Sequence, residues 1–166
     1  MKPSTLAVFI PCVLLAGCVF VAKPTNEPPA HVENTRTFAA AFDDVWSAAV
    51  GCVAEAQLPI QAIEKESGLL STGFVTCDSG TIDAAGALPR SFLSIWSQGR
   101  YTLSFFLRDL KDGRTQVIIT PHLEAYEMNV LKSWQPVKSK GVLEAEFLGK
   151  IANRLPSQPP TGTTGE

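Results

Sequence analysis

The chain has 166 residues, 45% of them hydrophobic, with 14 Lys+Arg against 16 Asp+Glu, 12 Gly and 12 Pro. That length and apolar content suit one globular domain plus some non-globular sequence, and they exclude a disordered acidic tail or a collagen-like repeat. A formal net charge of −2 without any basic run leaves no electrostatic footprint for nucleic acid, which is not expected as a partner.

Met1 and Lys2 form a short positive start, followed at residues 5–16 by a nearly continuous apolar run of 12 residues. A membrane-spanning helix needs about 20 such residues, so the run reads as the core of an export signal. It ends in Leu15-Ala16-Gly17-Cys18. This tetrapeptide resembles the lipobox of bacterial lipoproteins, which implies removal of residues 1–17 and acylation of Cys18. The two or three acyl chains of such a cysteine would anchor the protein firmly, at ~0.8 kcal/mol per buried methylene. Val19 follows the cysteine, where in enteric bacteria an Asp favours inner-membrane retention. The implied address is therefore the periplasmic face of the outer membrane.

Residues 18–36, with Pro24, Pro28 and Pro29 among polar residues, read as the lipidated N-terminus and a flexible tether. In the segment that follows, Phe42, Val45, Trp46, Ala49, Val50, Cys52, Val53 and Ala56 share one side of a helical wheel. Asp43 or a neighbour is placed to cap that helix, and Leu58-Pro59 ends it. Residues 60–66 and 69–76 around Ser67-Gly68 read as two paired strands, and residues 101–110 and 115–125 as a hairpin around Asp112-Gly113. Leu143, Phe147, Ile151 and Leu155 recur every four residues, with Glu144 early and Arg154 late, as the helix macrodipole favours. The order α-β-β-β-β-α predicts an α+β fold, an antiparallel sheet of about four strands with two helices on one face. The folded unit is expected at residues 37–155 and a disordered tail at 156–166. The long connection at residues 78–99 is of a length that often carries function.

Phe42-Asp43-Asp44-Val45-Trp46, Leu58-Pro59-Ile60, Glu66-Ser67-Gly68-Leu69-Leu70-Ser71-Thr72, Gly99-Arg100-Tyr101 and Gly141-Val142-Leu143-Glu144 are spaced along the folded unit. In these segments it resembles one domain of the BamC (NlpB/DapX) lipoproteins, accessory subunits of the outer-membrane β-barrel assembly machinery. The resemblance implies a helix-grip-like fold and a non-catalytic role in an envelope protein complex. The chain has room for one such domain where that subunit has two, and its tether is short where that subunit uses a long N-terminal segment to bind.

No catalytic residues, metal site or cofactor are expected. The histidines are His31 in the tether and His122 in a strand, where alternation sets His122 and Glu124 on one face and Glu127 on the other. Asp78-Ser79-Gly80 lacks the G-x-S-x-G pattern of a nucleophile turn. Cys52 and Cys77 are the two thiols remaining after Cys18, candidates for a disulfide in an oxidising compartment or simply free thiols. Phe92, Trp96 and Trp134 fall in or near expected loops, beside Leu93, Ile95 and Tyr126. They either fold back on the domain or form a protein-docking surface with Arg90 and Arg100 at its rim. A carrier for an apolar ligand is the alternative; it would need a cavity of ~300 Å³ between helix and sheet. Trp46, Phe74, Phe105, Phe106 and Phe147 are expected to fill that space.

Overall fold

The computed structural model describes residues 32–89 and 91–156. The signal segment, Cys18, His31, Arg90 and the tail from residue 157 lie outside the described residues.

The elements in order are β1 (Thr35–Phe38), α1 (Phe42–Glu55), β2 (Ile60–Glu64), β3 (Leu69–Thr72), β4 (Val75–Asp78) and α2 (Ser79–Ala85). They continue with β5 (Gly86–Ala87), β6 (Trp96–Asp109), β7 (Thr115–Glu127), β8 (Ser133–Ser139) and α3 (Val142–Arg154). The fold is thus dominated by an eight-stranded antiparallel sheet with three helices. This corrects the sequence expectation of about four strands and two helices. The additional elements are short and carry little periodicity. β1 has four residues, starts inside the segment read as tether, and is held by pairing Thr35–Phe38 with Thr115–Ile118. Strand β8 contains Pro136, tolerated because β5 covers β8 only at Lys138 and Ser139. Helix α2 has seven residues and is capped by Asp78, whose carboxylate accepts from the Thr81 amide at 2.9 Å and hydroxyl at 2.6 Å.

The long hairpin β6–β7 is the spine of the sheet, paired from Trp96/Glu127 to Asp109/Thr115. Its loop uses positive φ at Lys111 (64°) and Gly113 (77°). The outer edge of each long strand is shared by two short strands. β3 and β4 lie in succession along β6, and β1 and β8 along β7. Where β3 gives way to β4, the Thr72 hydroxyl takes the place of a ladder carbonyl and accepts from the Leu103 amide at 2.9 Å. Because Leu103 donates away from β7, its partner Pro121 is in a non-hydrogen-bonded pair. The missing proline N–H therefore faces the gap between β1 and β8 and costs no ladder bond.

Beyond the irregularity at Trp96–Gln98, side chains alternate on this spine. Leu103, Phe105, Leu107, Val117, Ile119, Leu123 and Ala125 are buried beneath the helices, against Val45, Ala49 and Val53 of α1 and Leu143, Phe147 and Ile151 of α3. Phe105 and Phe147 meet edge to face at 5.6 Å. Ile82 of α2 sits on Gly99, where any Cβ would collide with it. Arg154 of α3 pairs with Glu55 of α1. Asp43 does not cap α1, whose N-cap is Ala41; it pairs instead with Lys65 at 3.0 Å. Trp46, Phe105 and Phe147 are core residues, whereas Phe74 and Phe106 are exposed, so those two do not fill the helix–sheet space.

Candidate functional site

The face of the sheet turned away from the helices carries a compact aromatic and charged cluster. Arg100 of β6 projects there, and its guanidinium lies 4.3 Å from the ring centroid of Phe74 and 4.1 Å from that of Trp134. Strand register accounts for this convergence: Arg100 is opposite Glu124, which is opposite Pro136, and Tyr126 is opposite Trp134. Phe74 enters from the other side on the step between β3 and β4, where the Gly73 amide is held by the Pro59 carbonyl at 2.7 Å. Arg100 Nε donates to Glu124 Oε2 at 2.5 Å, and His122 Nε2 is 3.3 Å from Oε1 of the same carboxylate. Burial acts upward on the Glu124 carboxyl, but the bonds from Arg100 and His122 and their charges outweigh it and hold it below the usual range. Tyr126 and Trp134 meet edge to face at 5.5 Å, and the tyrosine hydroxyl donates to the Lys132 carbonyl at 3.0 Å.

A second surface lies at the end of the spine, beyond Trp96 and Glu127. Two loop segments, 91–95 and 128–131, expose Phe92 (95%), Leu93, Ile95, Met128, Val130 and Leu131. The loops are joined by the Met128 amide on the Ile95 carbonyl at 2.9 Å and by Asn129 Nδ2 on the Leu93 carbonyl at 2.7 Å. Glu127 organises both. Its side chain is buried and accepts from the backbone amides of Ile95 (3.2 Å), Asn129 (3.0 Å), Val130 (2.8 Å) and Leu131 (2.5 Å). Desolvation is the largest single influence and raises its pKa, but the four donors together reverse it and bring the value down to about 2. No protein-family model matches the chain, and no curated protein matches it. The site is therefore read from its own geometry.

The residues singled out in the sequence do not form one surface. A bulge between Trp96 and Gln98 turns Trp96 toward the helix side, where it rests against the core and donates through Nε1 to the Pro89 carbonyl at 3.3 Å. Trp96 and Phe92 line an open groove of about 670 Å³ beside α2, together with Leu88, Pro89 and Ile95. Trp134 is on the opposite face with Arg100. Cys52, buried on α1, and Cys77, half-buried on β4, are free thiols. Burial raises both pKa values, opposed at Cys52 by Arg154 and reinforced at Cys77 by Asp78. His122 and Glu124 share the open face while Glu127 points inward, and among the described residues no three His, Cys, Asp or Glu converge on a metal site.

Sequence reasoning missed Phe74, Glu127 and the apolar run Met128, Val130, Leu131. The last had a readable signal, since three large apolar side chains within four residues between strands must be either core or exposed by design.

Proposed function

We propose that this protein is a non-catalytic, lipid-anchored interaction module at the periplasmic face of the outer membrane, whose protein partner covers the open sheet face around Arg100. The observation that carries this reading is the Phe74–Arg100–Trp134 stack. Trp, Tyr and Arg are the side chains most enriched at interface hot spots, and an anchor already held in place loses little freedom on binding. Arg100 is fixed on both ring faces and by Glu124 before any partner arrives. Phe106, exposed on the same face two register positions beyond Ser104, extends the apolar surface along β6. The likeness to BamC lipoproteins makes barrel-assembly subunits the first partners to look for. A carrier would hold its ligand between helix and sheet; the groove of about 670 Å³ lies instead beside α2 at the end of the spine.

The test is a crosslinking pull-down of the full-length, lipid-modified protein from cell envelopes, identified by mass spectrometry, for wild type and for Phe74→Ala with Trp134→Ala. A protein captured by wild type and lost from the folded double variant supports the reading. An unchanged protein set, or bound lipid without protein, overturns it.

A further inference from the structure

We infer that the apolar end formed by segments 91–95 and 128–131 is a second membrane contact, seated in the lipid surface that holds the acylated Cys18. This inference rests on the lipid-anchor reading for the nearness of a bilayer, and its apolar tip adjoins, at Trp134, the open face proposed for the protein partner.

Chemistry, geometry and chain reach agree on a lipid occupant. Phe92 (95%), Val130 (58%) and Leu131 (58%) are the most exposed of the large apolar side chains there. Around them, residues 91–97 and 128–133 contribute Ser91, Ser94, Ser97, Asn129, Lys132 and Ser133, with no acidic residue. Glu127, at the base of both loops, is turned inward onto four backbone amides, and Asp83 of α2, which lines the groove beside Phe92 and Ile95, lies 3.9 Å from the Lys140 ammonium that offsets its charge. The exposed charge on these segments is the cation Lys132, which suits phosphate headgroups. One register position behind the end, Tyr126 faces Trp134, and Trp96 lies at the level of Glu127. Amphipathic aromatic rings immediately behind an apolar tip match the way Trp and Tyr distribute at a membrane interface.

The anchor can reach this end. β1 is antiparallel to β7, so the chain before Thr35 runs back toward the end where Glu127 lies, with the Asn34 carbonyl bonded to the Ile119 amide at 2.8 Å. From Ile119 to Glu127 is about 27 Å at ~3.4 Å per strand residue. The stretch from Cys18 to Val32 can extend to about 46–50 Å. A protein partner would be served equally by apolar side chains, but it would not call for two loop segments without a carboxylate of their own or for an end toward which the chain leading to the anchor runs.

The experiment uses the full-length lipidated protein in phosphatidylethanolamine/phosphatidylglycerol vesicles whose acyl chains are brominated, which quench nearby tryptophan. Trp46 is in the core, so quenching reports on Trp96 and Trp134. Wild type is expected to be quenched at least about twofold more than Phe92→Asp with Leu131→Asp, while both remain vesicle-bound through the anchor. Phe92→Ser with Leu131→Ser, checked by circular dichroism, serves if the first variant fails to fold. Equal quenching of wild type and folded variant overturns the inference, as does loss of a protein crosslink rather than lipid proximity in native envelopes. Intact mass distinguishes failure of the anchor reading: if Cys18 carries no acyl chains, flotation of the chain with these vesicles that Phe92→Asp with Leu131→Asp abolishes still supports the contact, and absence of flotation refutes it.

Discussion

Replacing Arg100 by Met keeps an aliphatic stem between Phe74 and Trp134 and removes only the guanidinium. Its two ring contacts, at 4.3 and 4.1 Å, are each worth ~0.5–1 kcal/mol for partly exposed sites. The bond to Glu124 at 2.5 Å joins side chains 29% and 18% exposed. A charge-assisted bond is worth ~1.5–3 kcal/mol when buried and is discounted here to about 1 kcal/mol for residual solvent. The variant should lose about 2–3 kcal/mol in urea denaturation and melt about 8–12 °C lower, at roughly 4 °C per kcal/mol for a domain of this size. A double-mutant cycle with Glu124→Gln should return a coupling of about 1 kcal/mol. Two results would refute the reasoning: a loss below about 0.5 kcal/mol, or a coupling indistinguishable from zero. Either would mean that the guanidinium is free in water and the open face has no fixed anchor.

Glu127→Gln should change the acid stability profile. The folded pKa of about 2 lies below the ordinary 4.5, so the carboxylate stabilises the fold fully above pH 4.5, and that contribution fades as pH falls toward 2. Unfolding curves between those limits should be flatter for the variant, with faster amide hydrogen exchange at Val130 and Leu131; an identical slope would contradict the four-donor arrangement. Phe105→Ala should cost about 3–5 kcal/mol, whereas Phe92→Ala should stay within about 0.5 kcal/mol, measured by chemical denaturation. Trp96→Ala should be destabilising, since that ring rests against the core. Gly99→Val should cost about 1–3 kcal/mol by driving side chain into Ile82, and a neutral result would show that α2 does not sit on the sheet there.

What could be read from residue order was what has a period or a turn signature. The apolar spacing of α1 and α3 and the Asp112-Gly113 hairpin coincide with structured elements because each is a local pattern. Strands β1, β5 and β8 escaped notice for the opposite reason. Four, two and seven residues long, they are strands only because a neighbouring edge offers partners, a tertiary fact that no window of sequence contains. The same limit governed the site. Phe92 was recognisable as a large apolar residue in a loop, but the separation of Trp96 from Trp134 follows from one bulged residue, and a bulge flips facing without any compositional mark. Glu127 could be set on the strand face opposite His122 and Glu124, but its role could not be read because its four partners are main-chain amides, invisible in side-chain chemistry.

The arrangement of four short strands on one long hairpin also orders events during folding. β6 and β7 are consecutive and joined by a short loop, so their thirteen-residue ladder closes at little entropic cost. β1 must cross some eighty positions of chain to reach Thr115–Ile118, and β3 more than thirty to reach β6. Long closures of this kind slow folding, so the hairpin should exist before its flanks arrive. During that interval both long strands show unpaired backbone along their outer sides, the condition in which one chain is most apt to pair with another. The late-arriving edges are thus what ends the chain's exposure to self-association, and a variant that weakens β1 should aggregate during refolding before it shows any defect in the finished fold.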